Sequence, residues 1–294
     1  MKHAQRLRKT KKVAILWGMA ALFVLVAGVL YFFLLGAKEP LRAPCEIHFI
    51  DVGQGDCTLL RTENAAVVVD AGPSEAWKDT VRYIKAYTNT IDYLILTHPH
   101  GDHIGGAAEI VSQLRVKNVI LTDAENDIAS FIRLQEALEK REVNVITAVP
   151  GSTYTVDALN LMLLAPLAPL TDPEELNEYS IVTRAEYGGV SFLLTGDAEN
   201  DSEELMLEKY GSALHADILK LAHHGSRTSS GAPFLTVVSP QFAIVSCGRD
   251  NEFGHPHTET LERAAALDIP VLRTDELGSI VFATDGAALW RIED

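Results

Sequence analysis

Residues 97–103 read Thr-His-Pro-His-Gly-Asp-His and gather three imidazoles (His98, His100, His103) and one carboxylate (Asp102) within six positions. Crowding such groups on a tight loop is costly unless a cation holds them together. His98 and His100 alternate, so in an extended segment both point the same way. Gly101 lets the chain turn, and Asp102 and His103 then face a second point nearby. The spacing describes a two-pocket ligand set. Mixed nitrogen and oxygen donors suit Zn²⁺, and also Mn²⁺ or Fe. The plain alternative is a polar surface loop without metal.

Such a loop needs rigid neighbours. An apolar run over 91–97 predicts a strand ending at the histidines, and a helix is expected over 104–114. Strands are expected earlier, over 46–52, 58–61 and 65–70, followed by a helix over 75–87, where Trp77, Val81 and Ile84 recur at helical spacing. Further on, strands are expected over 116–121 and 143–148 around a helix over 128–140. The middle (153–164, 180–187, 190–195) is β-rich, with a hairpin signal at Gly188-Gly189. A helix over 198–209, a strand over 217–222, a helix near Pro233, a strand over 242–246, a helix over 258–266 and two final strands complete the expectation. Strands and helices mixed along the whole length suit layered sheets covered by helices.

The chain has 294 residues, 47% of them hydrophobic, which allows a large buried core and excludes wholesale disorder. Three cysteines cannot make a disulfide framework. Cys57 and Cys247 lie in apolar strands and read as core, and Cys45 as a free thiol near the membrane. Charge is segregated. Residues 1–42 hold eight Lys/Arg and one acid, which leaves 17 basic against 39 acidic residues in 43–294, a net of −22. That body is not suited to gripping bulk nucleic acid.

Residues 13–37 are 25 consecutive uncharged positions, long enough to cross a hydrocarbon layer of ~30 Å. Six Lys/Arg precede this run, so the positive-inside rule puts residues 1–12 in the cytoplasm. The expected organisation is a basic tail (1–12), a single transmembrane anchor in the lipid bilayer (13–37), a linker (38–44) and one extracytoplasmic domain (45–294). The alternative is secretion after cleavage of a signal peptide, whose apolar region is usually shorter.

The 97–103 loop carries H-x-H-x-D-H and resembles the defining loop of the metallo-β-lactamase superfamily. The likeness extends to D-V-G-Q-G-D (51–56), V-V-V-D-A-G (67–72), L-L-T-G-D (193–197), K-L-A-H-H-G-S (220–226) and F-G-H-P-H (253–257), and covers about 46–292. The D-V-G-Q-G-D and H-H-G-S forms are similar to the hydrolase-like domain of ComEC competence proteins. There that domain accompanies a large membrane channel; here a single apolar segment stands in its place, so the DNA-uptake role does not transfer. The resemblance implies an α+β fold, a four-layer αββα metallo-β-lactamase sandwich preceded by one transmembrane helix.

It also implies roles. His98 and His100 would hold one divalent metal ion, Asp102 and His103 a second, with Asp197 bridging them and His223 as the remaining ligand. His224 is the alternate ligand or a donor to substrate. Catalytic roles fall on Asp102, His224 and His255, with His257 a weaker candidate. Asp70 either orients the histidine loop or serves a turn. Asp51, Gln54 and Asp56 form a loop beside the metals or turn chemistry only. Lys220 reads as a strand residue, and His48 and His215 as structural. One departure stands out: no histidine occurs from 104 to 214, where many members have one. The first site therefore has an open position, for water or for a group near 177–180.

Two metal ions, with Zn preferred and Mn as the other choice, imply hydrolysis by an activated water. The expected enzyme acts on a phosphodiester, such as nucleic acid or a phosphorylated wall polymer. Arg227, Arg249 and Lys220 are candidates for a locally basic cleft. The alternatives are hydrolysis of an ester, thioester or lactam in a small molecule, and a non-catalytic metal-binding module.

Overall fold

The structure is a computed structural model that describes residues 38–169 and 175–293, with residues 17, 19, 20, 22–24 and 26 of the N-terminal segment. The chain forms two compact units, Met1–Glu39 and Pro40–Asp294. In the first, residues 17, 19, 20, 22–24 and 26 are helical and exposed, Trp17 and Phe23 among them, and Lys38 and Glu39 are exposed and outside any helix. Among the described residues no helix is long and apolar enough to cross a membrane. The basic tail and most of the expected anchor lie outside the described residues.

The second unit is built on two sheets. The chain first lays down β1 (Cys45–Phe49), β2 (Thr58–Thr62), β3 (Ala66–Val69), β4 (Thr90–Ile95), β5 (Arg115–Leu121) and β6 (Asn144–Thr147). It then crosses to β7 (Thr153–Val156), β8 (Leu159–Leu163), β9 (Thr183–Tyr187), β10 (Val190–Leu194), β11 (Ile218–Lys220), β12 (Phe242–Val245) and β13 (Val271–Arg273), and returns with β14 (Ile280–Thr284) and β15 (Leu289–Ile292). The first sheet runs β15-β14-β1-β2-β3-β4-β5-β6 and the second β13-β12-β11-β10-β9-β8-β7.

Alternation makes the sandwich. Cys45, Ile47 and Phe49 of β1 face inward with Val67 and Val69 of β3, and meet Phe192 and Leu194 of β10 between the sheets. The opposite face of the first sheet, Leu59, Val68, Leu94 and Val119, packs on α1 (Trp77–Tyr87), α3 (Ala107–Gln113) and α4 (Ala129–Arg141), with the short α2 (Gly101–Ile104) leading into α3. The outer face of the second sheet, Leu193, Leu219 and Val245, meets Met206 of α5 (Asn200–Tyr210), Phe234 of α6 (Ala232–Val238) and Ala264 of α7 (Thr258–Ala266). Helix, sheet, sheet, helix is the four-layer α+β arrangement that the resemblance implied.

Some element boundaries differ from the periodicity. The helix expected over 104–114 is two pieces, α2 and α3, broken at Gly105-Gly106. A Cβ on Gly106 would sit 2.5 Å from Ala71 O, so the backbone packs there against the end of β3. The strand expected over 217–222 is only Ile218–Lys220, because the chain turns at Ala222 into a tight 3₁₀ turn, His223–Gly225.

Candidate metal centre

Parallel pairing sets the place of the site. β3 pairs in parallel with β4, and β10, β11 and β12 pair in parallel with one another. The chain leaves these five strands at their carboxyl ends, which is where open parallel sheets present loops and ligands. Asp70 follows β3, the 97–103 loop follows β4, Asp197 follows β10, His223 and His224 follow β11, and Ser246 and His255 follow β12. Asp70, His223 and His224 have φ of 61°, 49° and 53°, a region that side chains with a Cβ rarely adopt. Such outliers persist where surrounding bonds fix them.

Asp70 is the first fixing group. Its Oδ1 accepts from Thr97 N and its Oδ2 from Thr97 Oγ1, both at 2.8 Å, and Oδ2 also accepts from His103 Nδ1 at 2.8 Å. Because a carboxylate only accepts, His103 carries its proton on Nδ1 and turns Nε2 inward. That atom lies 3.2 Å from Asp197 Oδ1. His224 is set the same way: Nδ1 donates to Ser246 O at 2.9 Å, and Nε2 lies 3.1 Å from Asp102 Oδ2 and 3.6 Å from Asp197 Oδ2.

His98 Nδ1 meets the Thr97 and Ser180 hydroxyls at 3.1 and 3.3 Å, leaving Nε2 2.9 Å from His100 Nδ1 and 4.0 Å from Asp197 Oδ2. His223 Nδ1 donates to Glu199 Oε1 at 2.6 Å, and its Nε2 is 3.9 Å from Asp197 Oδ2. Four imidazoles thus tie Nδ1 to an oxygen and turn Nε2 toward one buried carboxylate, Asp197. This is the outer-shell pattern that orients metal-ligating histidines.

Among the described residues, donor atoms of Asp102, His103, Asp197 and His224 all lie within 4.8 Å of one another, and so do those of Asp56, Asp70 and His103. The pair His98 and His100 stands beside the first group and belongs to neither. The sequence favoured His223 as the last ligand; the structure brings His224 into the compact group and leaves His223 at its edge, against Glu199. Asn177 Nδ2 lies 3.4 Å from His223 Nδ1 and hydrogen-bonds His100 as well, which puts a polar group from the 177–180 stretch beside the first pair.

The electrostatics suit a cation. Four carboxylates, Asp56, Asp70, Asp102 and Asp197, meet one buried ammonium, Lys220, which pairs with Asp56 and lies 3.9 Å from Asp197 Oδ1. Burial opposes the charge on Asp197, yet His103, His224 and His98 hold its carboxyl well below the usual range. Burial likewise opposes protonation of His103, but Asp197, Asp70 and Asp102 push it well above the ordinary histidine value. His224 is driven up to about 9: burial resists, and Asp197, Asp102 and Asp56 prevail. Protons on these rings offset the excess of carboxylate, and a cation among the same donors does so better. His103 Nε2 and Asp197 Oδ1 are buried without a hydrogen-bond partner among the described residues, although they are 3.2 Å apart. Orphaned atoms converging on one point fit an ion between them.

Sequence reasoning passed over Glu199 and Ser246; it left Asp56 open between a loop beside the metals and turn chemistry, and Lys220 open between a strand residue and a basic cleft. Lys220 pairs with Asp56, donates to Gly196 O at 3.2 Å and lies 3.9 Å from Asp197 Oδ1. The lysine three positions before a histidine pair was the available signal. His255 is buried beside the centre, its ring 5.3 Å from that of His223 and 6.0 Å from that of His224. Burial, and then His224 and His223, push it down to about 4, so it is neutral. His257 Nδ1 accepts from Arg227 N at 3.0 Å. His48 pairs with Glu46 and Tyr83, and His215 with Val238 O, both away from the cluster. Cys45, Cys57 and Cys247 are all free and buried.

Comparison with known proteins agrees with this geometry. Residues 50–249 match the family described as the metallo-beta-lactamase superfamily, whose members are generally metal-dependent hydrolases. The chain is 31% identical over 273 residues to ComE operon protein 3 of Bacillus subtilis, covering 85% of this chain and 34% of that protein. It is 31% identical over 234 residues to competence protein ComA of Neisseria gonorrhoeae, covering 79% and 31%. The chain therefore spans about a third of the length of the curated relatives it matches. Among solved structures, the metallo-beta-lactamase fold protein YhfI of Bacillus subtilis superposes with a TM-score of 0.51 at 16% identity, covering 84% of this chain and 99% of that one. CmlA of Streptomyces venezuelae, a diiron beta-hydroxylase, gives 0.54 at 16%, covering 86% and 55%. The structural likenesses concern the fold, and the sequence matches carry the family: the chain belongs to the metallo-beta-lactamase superfamily, in the ComEC-like branch.

Proposed function

We propose that this chain is a metal-dependent hydrolase of phosphodiesters, anchored in the membrane by residues 13–37 with its catalytic domain outside the cell. The observation that carries the reading is the compact group Asp102, His103, Asp197 and His224 around buried, unpartnered atoms. These four residues would hold one divalent ion. His98 and His100 would hold a second, with Asp197 shared between them and His223 close enough to assist. Bound divalent ions, Zn or Mn by the donor set, supply Lewis acidity that brings the pKa of water toward ~7 and offsets charge developing on the scissile group.

The chain's own residues do the rest. Asp102 is the carboxylate of the group with an open side, its side chain 33% exposed against 3% for Asp197. It can therefore both ligate and accept the proton of an attacking water. His255, held neutral, faces the same space and donates a hydrogen bond to the departing oxygen. His224, with Nδ1 held by Ser246 O, presents Nε2 to the point that Asp102 also faces. A second reading, an ester, thioester or lactam of a small molecule, is favoured by the net charge of −22 over 43–294, which opposes polyanionic substrates.

The test is turnover by the full chain on a bis-aryl phosphodiester, an aryl ester and a chromogenic lactam, each with and without chelator. Chelator-sensitive cleavage of the phosphodiester supports the proposal. Cleavage of the ester or lactam alone selects the second reading.

A further inference from the structure

Beside the centre lies an aromatic side chain that packing does not explain. Asn251 clasps the loop that follows β12: its Nδ2 donates to Gly248 O at 2.8 Å and to His255 O at 2.6 Å, and its Oδ1 accepts from His255 N at 2.9 Å. The clasp fixes Phe253 between these anchors, yet Phe253 is 55% exposed and belongs to none of the three buried clusters. Its ring stacks on that of His255, with centroids 5.7 Å apart and an interplanar angle of 22°. His255 is only 8% exposed, its Nδ1 has no hydrogen-bond partner among the described residues, and its ring contacts those of both His223 and His224. A continuous set of rings therefore runs from the metal centre to an apolar face held in water.

We propose that Phe253, backed by His255, is a stacking platform for a purine or pyrimidine ring of the substrate. The phosphodiester cleaved at the centre then carries a nucleoside on the side of residues 253–255. This inference rests on the phosphodiester reading and narrows its substrate class to nucleotides, as against sugar- or glycerol-phosphate chains that offer no planar ring. Aromatic platforms accept any base, because every base has a π-face. The charge pattern limits the length. A long strand needs a track of cations; of the three candidates Lys220 lies inside the core, which leaves two exposed guanidiniums, each with a neighbour of its own. Lys220 is buried on Asp56, the Arg249 guanidinium donates to Asp275 O, and Arg227 lies 3.7 Å from Glu259. One firm stacking contact without a basic track fits a substrate of a few nucleotides.

The experiment compares a 3′,5′-linked dinucleotide with glycerophosphocholine, a phosphodiester lacking any aromatic ring, using the full metal-loaded chain in detergent. The readout is the ratio of the two kcat/KM values. The unaltered protein is expected to favour the dinucleotide. Phe253→Ala should lower the ratio about tenfold, the usual loss for one stacked base, through KM and not kcat. Phe253→Trp should keep the ratio. An equal loss on both substrates, or no preference for the dinucleotide in the unaltered protein, overturns the platform while leaving the phosphodiester reading intact. A changed sedimentation coefficient for Phe253→Ala with an unchanged ratio also overturns it, by making the ring a contact between copies. Cleavage of neither phosphodiester, with turnover on an ester or lactam, removes the phosphodiester reading and the platform together.

Discussion

The Asp70 carboxylate and the His103 ring are joined by a 2.8 Å hydrogen bond, and that bond decides which nitrogen of His103 faces Asp197. Asp70→Asn removes the acceptor that fixes the tautomer, and an amide N–H pointed at Nδ1 would reverse it. Metal affinity should fall about 10–100-fold, the usual cost of losing such a partner. Competition titration with a chromogenic chelator measures this. Unchanged affinity would mean that Asp70 serves the turn alone.

His100→Ala and Asp102→Ala should separate the two halves of the centre. Both should abolish turnover on the substrate identified. Asp102 belongs to the compact group and His100 does not, so Asp102→Ala should release the more tightly held ion, and His100→Ala only the weaker. Elemental analysis after graded dialysis reads the difference. Undiminished activity in either variant contradicts the site assignment.

Lys220→Met tests the buried pair with Asp56. Breaking it from one side leaves an uncompensated buried carboxylate, at a cost of about 3–5 kcal/mol. Lys220→Met combined with Asp56→Leu removes both charges and should recover most of that loss. Urea unfolding of the single and double variants gives the comparison, and equal instability in both would show that the charges do not act as a pair.

Away from the centre, Glu46 offers a pH test. Burial raises its pKa, but hydrogen bonds from His48, Arg42 N and Arg61 outweigh this and hold it at about 2. A carboxyl lowered on folding adds stability that is present above its unfolded value near 4.5 and is lost as pH falls through about 2. The contribution is on the order of 3 kcal/mol. Glu46→Gln should therefore melt well below the unaltered protein at pH 7, and the gap should close as pH falls from about 4.5 toward 2. A gap that does not change with pH would assign the effect to packing.

Topology has its own test. A reporter fused after Asp294 should be cut by protease added to intact cells. Protection of the reporter would reverse the orientation taken from the Lys/Arg asymmetry of residues 1–42.

Much of the centre was legible because the 97–103 loop crowds its donors within a few positions, where spacing alone limits their directions. Asp197 was legible through its motif. The choice between His223 and His224 was not. Alternation distinguishes neighbours only inside a strand, and β11 ends at Lys220, before a turn in which both histidines have positive φ. The buried pairing of Lys220 with Asp56 was hidden for a related reason. All three residues of β11 are buried, so no polar-out pattern marks the lysine as turned inward. The break between α2 and α3 depends on Ala71 O from a distant strand, which helical periodicity does not register. Cys45 is a free thiol, as expected, and is packed between the sheets opposite Thr62 and Thr284.

Metal content of the purified full chain, by mass spectrometry, tests the central claim most directly when set beside that of Asp197→Asn, with circular dichroism as a check that the variant is folded. The account predicts about two divalent ions per unaltered chain, loss of the tighter ion in folded Asp197→Asn, and hydrolysis that disappears in step with the metal. A folded, unaltered chain that hydrolyses its substrate at full rate after exhaustive chelation, with no divalent ion left on it, would contradict the account.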